Sequence, residues 1–202
     1  MEGAEAGEYL LDEQDIDFYT FTGSTRVGRI IQQKAGRRRT QLELGSIACT
    51  VVCEDADIDM ALPRIMRATF RKAGQVCTSI QRLYVARSRL DEFTAKLAQA
   101  TSALKTGNPQ GSDIDVGPMI AEKEAVRAES WVAEAVSMGA RLVHGGQRDK
   151  SVLSPTILSD VRAGMKVFDL EIFAPVVTLI PFDAIAEAVD GINATPYGLA
   201  TG

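Results

Sequence analysis

The chain has 202 residues, 46% of them hydrophobic, enough to bury the core of one domain, or of one domain with an appendage. A formal charge of -5 argues against a nucleic-acid partner, whose phosphates draw on clustered Lys and Arg, and no apolar run approaches the roughly 20 residues that span a bilayer. The acidic start Met1-Glu2-Gly3-Ala4-Glu5 lacks a secretion-signal layout, and three cysteines, an odd number, suit a reducing compartment better than a disulfide framework; a cytoplasmic protein without membrane association is expected.

Residues 17–21 read as a short buried strand, followed by a turn at Thr22-Gly23-Ser24 and a helix over 25–35. Strand, glycine turn and helix N-terminus in that order aim backbone N–H groups and a positive dipole end at whatever lies above the turn, an arrangement suited to a phosphate. Only Gly23 and Gly28 are present, short of a full dinucleotide fingerprint. The basic run Lys34, Arg37, Arg38 and Arg39 falls where this helix should end, so its charges complement the negative end of the helix dipole rather than mark an anion site. Strands follow at 40–44 and 48–53, and Asp57 is placed to cap a helix running to about Arg71.

The stretch Arg71-Lys72-Ala73-Gly74-Gln75-Val76-Cys77-Thr78-Ser79 then sets one thiol in a small-residue loop before a strand at 82–86. A helix to about Leu104 carries Leu90, Phe93, Leu97 and Ala100 at helical spacing, and Gly107-Asn108-Pro109 and Gly117-Pro118 punctuate an irregular loop. A long helix over 122–138 ends at the C-terminal cap Gly139, and strands are read at 141–144, 155–158 and 176–180. This alternation predicts an α/β layered domain with a mostly parallel sheet.

Cys77 is the candidate nucleophile, although a free cysteine also serves as a small packing hydrophobe. Glu43, the only charge in the segment 40–46, is the candidate acid-base group, or else a strand-end surface carboxylate. Cys49 and Cys53 read as packing residues because neither a second cysteine pair nor a histidine cluster completes a zinc set. The sole histidine, His144, reads as a surface or turn residue rather than a partner for a thiol. Arg82, five residues past Cys77, is placed in a strand-edge salt bridge in preference to gripping an anionic substrate.

Four segments occur here in one order: Phe21-Thr22-Gly23-Ser24-Thr25, Leu42-Glu43-Leu44-Gly45, Gly74-Gln75-Val76-Cys77 and Glu171-Ile172-Phe173-Ala174-Pro175-Val176. Together they resemble the NAD(P)-dependent aldehyde dehydrogenase superfamily, from about Gly3 to the last residue. The resemblance implies an aldehyde dehydrogenase-like fold truncated at both ends, with residues 1–45 a remnant of the cofactor-binding domain and 46–202 the thiol-bearing catalytic domain. It implies oxidation of a small-molecule aldehyde to a carboxylic acid through a cysteine thioester, with NAD or NADP as cofactor. Cys77 is then the nucleophile and Glu43 the base that activates water. Thr22, Gly23 and Ser24 lie near the nicotinamide and phosphates, Leu44 and Gly45 bring backbone to the ring, Glu171 accepts from the nicotinamide-side ribose hydroxyls, and Phe173 packs near the cofactor.

The family is homo-oligomeric, and the resemblance places its oligomerisation segment, its oxyanion-stabilising asparagine and its NAD/NADP-discriminating strand outside these residues. Two readings therefore stand beside the oxidoreductase: a non-catalytic α/β module, and a cysteine-dependent esterase that needs only nucleophile and base. Two residues depart from the pattern, Ser46 in place of a second glycine after Leu44-Gly45 and Ala174 in place of the glycine before Pro175. Each adds a side chain where backbone is expected to approach another surface.

Overall fold

A computed structural model describes residues 3–111 and 113–202. They form two compact units, Met1–Gly45 and Ser46–Gly202.

In the first unit, helix α1 (Gly3–Asp12) precedes strand β1 (Phe18–Thr22), helix α2 (Thr25–Ala35) and strand β2 (Arg39–Glu43). β1 and β2 pair in parallel, Thr22 against Glu43. The expected buried strand is not found: β1 alternates exposed and half-buried positions, because a two-stranded ribbon packed on one helix covers one face and leaves Phe18 49% exposed. The basic run behaves as the helix-end reading requires. Arg38 folds back to donate to Lys34 O, Ala35 O, Leu11 O and Glu13 O, satisfying carbonyls that helix ends leave unpaired.

The second unit runs β3 (Ala48–Val52), α3 (Ile58–Phe70), a short 3₁₀ turn (Arg71–Gly74), β4 (Ile80–Ala86), α4 (Leu90–Ser102), α5 (Glu122–Ser137) and β5 (Arg141–His144). A small hairpin of β6 (Arg148–Asp149) and β7 (Val152–Leu153) follows, then β8 (Thr156–Ser159), α6 (Lys166–Asp169), β9 (Val176–Phe182) and α7 (Ile185–Asn193). Five strands form one sheet in the order β3-β4-β9-β8-β5. Every pairing is parallel except β5 with β8, so the α/β class and the mostly parallel sheet are found as expected.

All seven residues of β4 are buried, as a central strand covered on both faces demands. Leu83 and Val85 enter the main core, which also takes residues of α3, α4 and α5, while Tyr84 and Ala86 enter a smaller cluster with Cys49, Phe182 and Ala188 of α7. Asp57 caps α3 through Met60 N–H at 3.0 Å. Thr201 lies along the outer side of β3, where Val51 N–H donates to Gly202 O at 2.9 Å. Because β3, β4 and β9 are parallel, the segments leading into them emerge at one end of the sheet. Those segments are Ser46-Ile47, the loop 75–79 that bears Cys77, and the loop 171–175.

Candidate functional site

Cys77 is half-buried in the loop between the 3₁₀ turn and β4. The loop is anchored on three sides. Lys72, Ala73 and Gly74 all hold positive φ values of 52°, 54° and 68°, a left-handed path unusual for two side-chain-bearing residues in succession and of the kind concentrated at functional sites. A Cβ at Gly74 would stand 2.1 Å from Ala174 O, so only glycine lets the two loops meet here. Gln75 ties the loop to a third segment: its Oε1 accepts from Ile120 N–H at 2.8 Å and its Nε2 donates to Lys72 O at 3.0 Å. Ser79 N–H closes the turn on Val76 O at 2.9 Å.

The other two thiols differ from Cys77. Cys49 is buried in β3, where its Sγ donates to Ile47 O at 3.4 Å, and burial pushes its pKa up against the opposing pull of Arg82. A neutral thiol is a poor nucleophile, so the packing role expected for Cys49 is the one found. Cys53 is half-buried beyond the other end of β3. No group of His, Cys, Asp or Glu able to hold a metal occurs among the described residues, and no helix among them is long and apolar enough to cross a membrane.

Glu171 and Phe173 lie in the loop that meets Gly74. Glu171 Oε1 accepts from Ser46 N–H at 3.0 Å. Burial raises the Glu171 pKa above the ordinary carboxylate range, opposed by this hydrogen bond and by the Arg127 guanidinium. Phe173 is 40% exposed at a φ of 49°, an aromatic side chain presented outward from a left-handed backbone position. Ser46, Gly74, Val76, Glu171 and Phe173 line one small crevice. The hydroxyls of Ser46 and Ser79 are buried without a hydrogen-bond partner among the described residues.

The two departures from the motif pattern now have a structural setting. Ser46 is the residue whose N–H meets Glu171. At Ala174 it is the main-chain carbonyl that approaches Gly74, so its methyl group does not obstruct the contact.

Arg82 corrects an expectation. It is 1% exposed on the strand between β3 and β9 and, among the described residues, makes no ion pair. Its Nε and Nη2 donate to Phe168 O, its Nη1 donates to Gly191 O of α7, and its guanidinium lies 3.8 Å from the Phe168 ring centroid. β4 lies inside the sheet because β9, almost a hundred residues later in the chain, docks on it; local sequence carries no sign of that. Gln81, not singled out from sequence, is likewise buried and hydrogen-bonded to the segment 167–172. A polar pair at the start of an otherwise apolar strand was the available signal, since buried polar groups must find partners.

The remaining candidates lie in the first unit. Thr22 closes β1, and Gly23 N–H donates to Glu43 O at 3.0 Å, which brings the glycine turn and the end of β2 together. Ser24 caps α2, its Oγ accepting from Val27 N–H at 3.3 Å. Glu43 is exposed at the last position of β2, and the Leu44 side chain fills the space over Gly28, where a Cβ would meet it at 2.4 Å. Gly45 ends the unit. Glu43 and Cys77 thus belong to different compact units.

Residues 1–202 match the aldehyde dehydrogenase family throughout. The chain is 46% identical over 201 residues to a 3-sulfolactaldehyde dehydrogenase of Priestia aryabhattai, covering 100% of this chain and 42% of the relative. It is 38% identical to a benzaldehyde dehydrogenase [NAD(+)] of Pseudomonas putida, covering 98% and 41%. Among solved structures, glyceraldehyde-3-phosphate dehydrogenase GapN of Methanocaldococcus jannaschii complexed with NADP superposes at a TM-score of 0.95 with 35% identity, covering 99% of this chain and 43% of that one. Mycobacterium tuberculosis aldehyde dehydrogenase complexed with NAD+ superposes at 0.93 with 36% identity, covering 98% and 42%. The chain spans about 42% of the length of the curated relatives.

Proposed function

The chain belongs to the aldehyde dehydrogenase family, and on that premise we propose that it carries the thiol-bearing part of an NAD(P)-dependent aldehyde oxidation. The observation that carries this reading is the pinning of the Cys77 loop against the loop of Glu171 and Phe173 at Gly74. It holds the loop that bears a half-buried thiol against the loop that bears a half-buried carboxylate, at one end of the parallel sheet.

Each unit, taken by itself, carries groups that suit part of a nicotinamide dinucleotide. Glu171 Oε1 is engaged by Ser46 N–H, while Oε2 has no protein partner among the described residues and is an acceptor for ribose hydroxyls. Phe173 offers an exposed ring beside it. Thr22, Gly23 and Ser24 form a turn at the N-terminus of α2 that suits the phosphates, and Leu44 and Gly45 offer backbone to the ring. When bound, the dinucleotide supplies the hydride acceptor.

The chain's own groups do the rest. Cys77, as thiolate, attacks the aldehyde carbonyl and forms a C–S bond, giving a thiohemiacetal whose oxygen bears the negative charge. Loss of hydride from that carbon re-forms the C=O bond and leaves a thioester on Sγ. Glu43, acting as general base, takes a proton from water as the water oxygen adds to the thioester carbonyl; the C–S bond then breaks, releasing carboxylic acid and thiolate.

The test uses the 202-residue chain with an aldehyde and NAD+ or NADP+, followed by absorbance of the reduced cofactor. Turnover that disappears in Cys77→Ala supports the reading. Glu43→Gln is expected to keep the acylation burst and to slow thioester release by a factor of about 100, within the usual contribution of a general base. Absence of any signal, with Cys77 still labelled by iodoacetamide, would favour an inert module, and unchanged release in Glu43→Gln would remove that residue from its role.

A further inference from the structure

Gln81 lies four residues after Cys77, at the start of β4, and is 5% exposed. Its side-chain amide reaches across to the segment that carries Glu171. Nε2 donates to Leu170 O at 2.7 Å and to Val167 O at 2.9 Å, and Oε1 accepts from Ile172 N–H at 3.0 Å. The two residues flanking Glu171 are therefore held by one side chain, which mimics a strand partner at a place where the backbone makes no ladder. The next residue, Arg82, holds the same segment at Phe168 O and ties it to α7 at Gly191 O. Thr178 Oγ1 donates to Gln81 O at 3.0 Å, so β9 secures the backbone from which the bracket extends.

These contacts form a continuous path. It runs from Cys77 through the turn 76–79 to Gln81, across to Leu170 and Ile172, out along the Glu171 side chain, and through Oε1 to Ser46 N–H at the entry to β3. Arg127 of α5 adds a second hold, donating from Nη2 to Ile172 O at 2.8 Å. A buried amide that makes all three of its bonds to one short segment has a single favoured arrangement, because losing the bonds to Val167 O or Ile172 N–H would leave a buried main-chain group unpaired.

We infer that Gln81 is a positioning residue that brackets Glu171 from both sides and fixes the direction of its carboxylate relative to the Cys77 loop. This inference rests on the proposed role of Glu171 as a cofactor-holding carboxylate, and it makes that role depend on a residue of the thiol-bearing strand. The loop 171–175 then cannot shift without straining the strand that carries the nucleophile's loop.

The experiment is amide hydrogen exchange on the 202-residue chain, reading the Ser46 N–H that Glu171 accepts. Gln81→Leu, and the shorter Gln81→Asn in case the first variant does not fold, are compared with wild type and with Glu171→Ala. The expected result is a loss of Ser46 protection by a factor of about 10, the equivalent of one hydrogen bond at roughly 1.4 kcal/mol, to the level of Glu171→Ala. Amides of Leu83 and Leu179, deep in β4 and β9, should keep theirs within about twofold, since a local hydrogen-bond loss does not change global opening.

A pH profile separates positioning from simple support. Among the described residues, two groups act on the Glu171 carboxylate: the Ser46 N–H ahead of β3 by a hydrogen bond and the Arg127 guanidinium of α5 by its charge. In wild type, after correction for intrinsic exchange, Ser46 protection should step down as acid protonates Glu171; in the Gln81 variants that step should shift, and in Glu171→Ala it should be missing. Ser46 protection unchanged in a folded Gln81 variant, or lost to the same degree as at Leu83 in both variants, would overturn the inference. Binding of NAD+ and NADP+ by equilibrium dialysis is scored in parallel. No binding of either, with the predicted Ser46 response, would sink the cofactor-holding role of Glu171 and leave the bracket standing.

Discussion

The two ends of the five-stranded sheet are built differently. Where β3, β4 and β9 begin, the connecting segments are held by uncharged contacts, the buried ones being Gly74 on Ala174 O and Gln81 on the main chain around Glu171, with Gln75 on Ile120 N–H as an exposed third. Where the same strands end, a groove of about 680 Å³ is lined by Cys53, Glu54, Asp55, Arg87 and Asp183, among others. There the connection between β4 and β9 is a solvent-facing ion pair, Arg87 Nε to Asp183 Oδ1 at 2.6 Å. The first kind of contact fixes positions to fractions of an ångström and penalises change; the second is screened and replaceable. The contrast teaches that this chain spends its structural constraint on the end that presents Cys77.

Substitutions at the two ends should therefore differ in size. Gly74→Ala would combine a 2.1 Å contact with a carbonyl oxygen and a φ of 68°. A cost of about 2–4 kcal/mol is expected from backbone strain and overpacking together, read as a lower urea midpoint. A midpoint equal to wild type would show that the two loops are not pressed together. Arg82→Met should follow at about 2–3 kcal/mol, because Phe168 O and Gly191 O lose their donor within a buried layer; a neutral result would mean that the methionine repacks and the carbonyls find water. At the far end, Arg87→Ala should leave the urea midpoint unchanged within error, and a clear drop there would erase the contrast between the ends.

Protonation sharpens the same comparison. Burial raises the folded-state pKa of Glu171 above its ordinary value of 4.5, so the folded state binds the proton more readily than the unfolded state. Stability is then higher below about 4.5 and falls as pH rises from there through the raised folded pKa, where the carboxylate ionises in its half-buried loop. Glu171→Gln should flatten that part of the stability profile. An identical slope in the variant would assign the pH dependence elsewhere. Asp183 is shifted in the opposite direction, its pKa lowered by the Arg87 guanidinium; any contribution is present above the ordinary aspartate range and lost as pH falls through the depressed value, and in so exposed a pair it is too small to move the midpoint.

The smallest expected effect is selective labelling. Iodoacetamide in native conditions should modify Cys77 and spare Cys49, whose thiol is buried and shifted upward. Equal labelling of both without denaturant would mean that β3 opens as readily as the loop.

What sequence could and could not reveal follows the range of the contacts. The α/β alternation, the cap at Asp57 and the loop around Cys77 are encoded in runs of a few residues, and each was legible. The roles of Arg82 and Gln81 were not, because their partners at 167–172 and at Gly191 lie about 90 to 110 positions away and depend on β9 docking against β4. The half-exposed state of β1 is not legible, because a short strand rich in aromatic residues looks the same whether one face or both are covered. The hairpin of β6 and β7 left no periodic signal, being two residues on each side. The family resemblance named Glu171 and Phe173, but the Ser46 N–H, the Gly74 contact and the Gln81 bracket around them emerged from the folded chain.

The account turns on Cys77 acting as a nucleophile, and the most direct measurement is peptide mass mapping after brief incubation of the chain with p-nitrophenyl acetate. The predicted result is a single acetyl group on the peptide containing Cys77, abolished in Cys77→Ala and longer-lived in Glu43→Gln. Acetyl groups on surface lysines alone, with Cys77 unmodified, would contradict it.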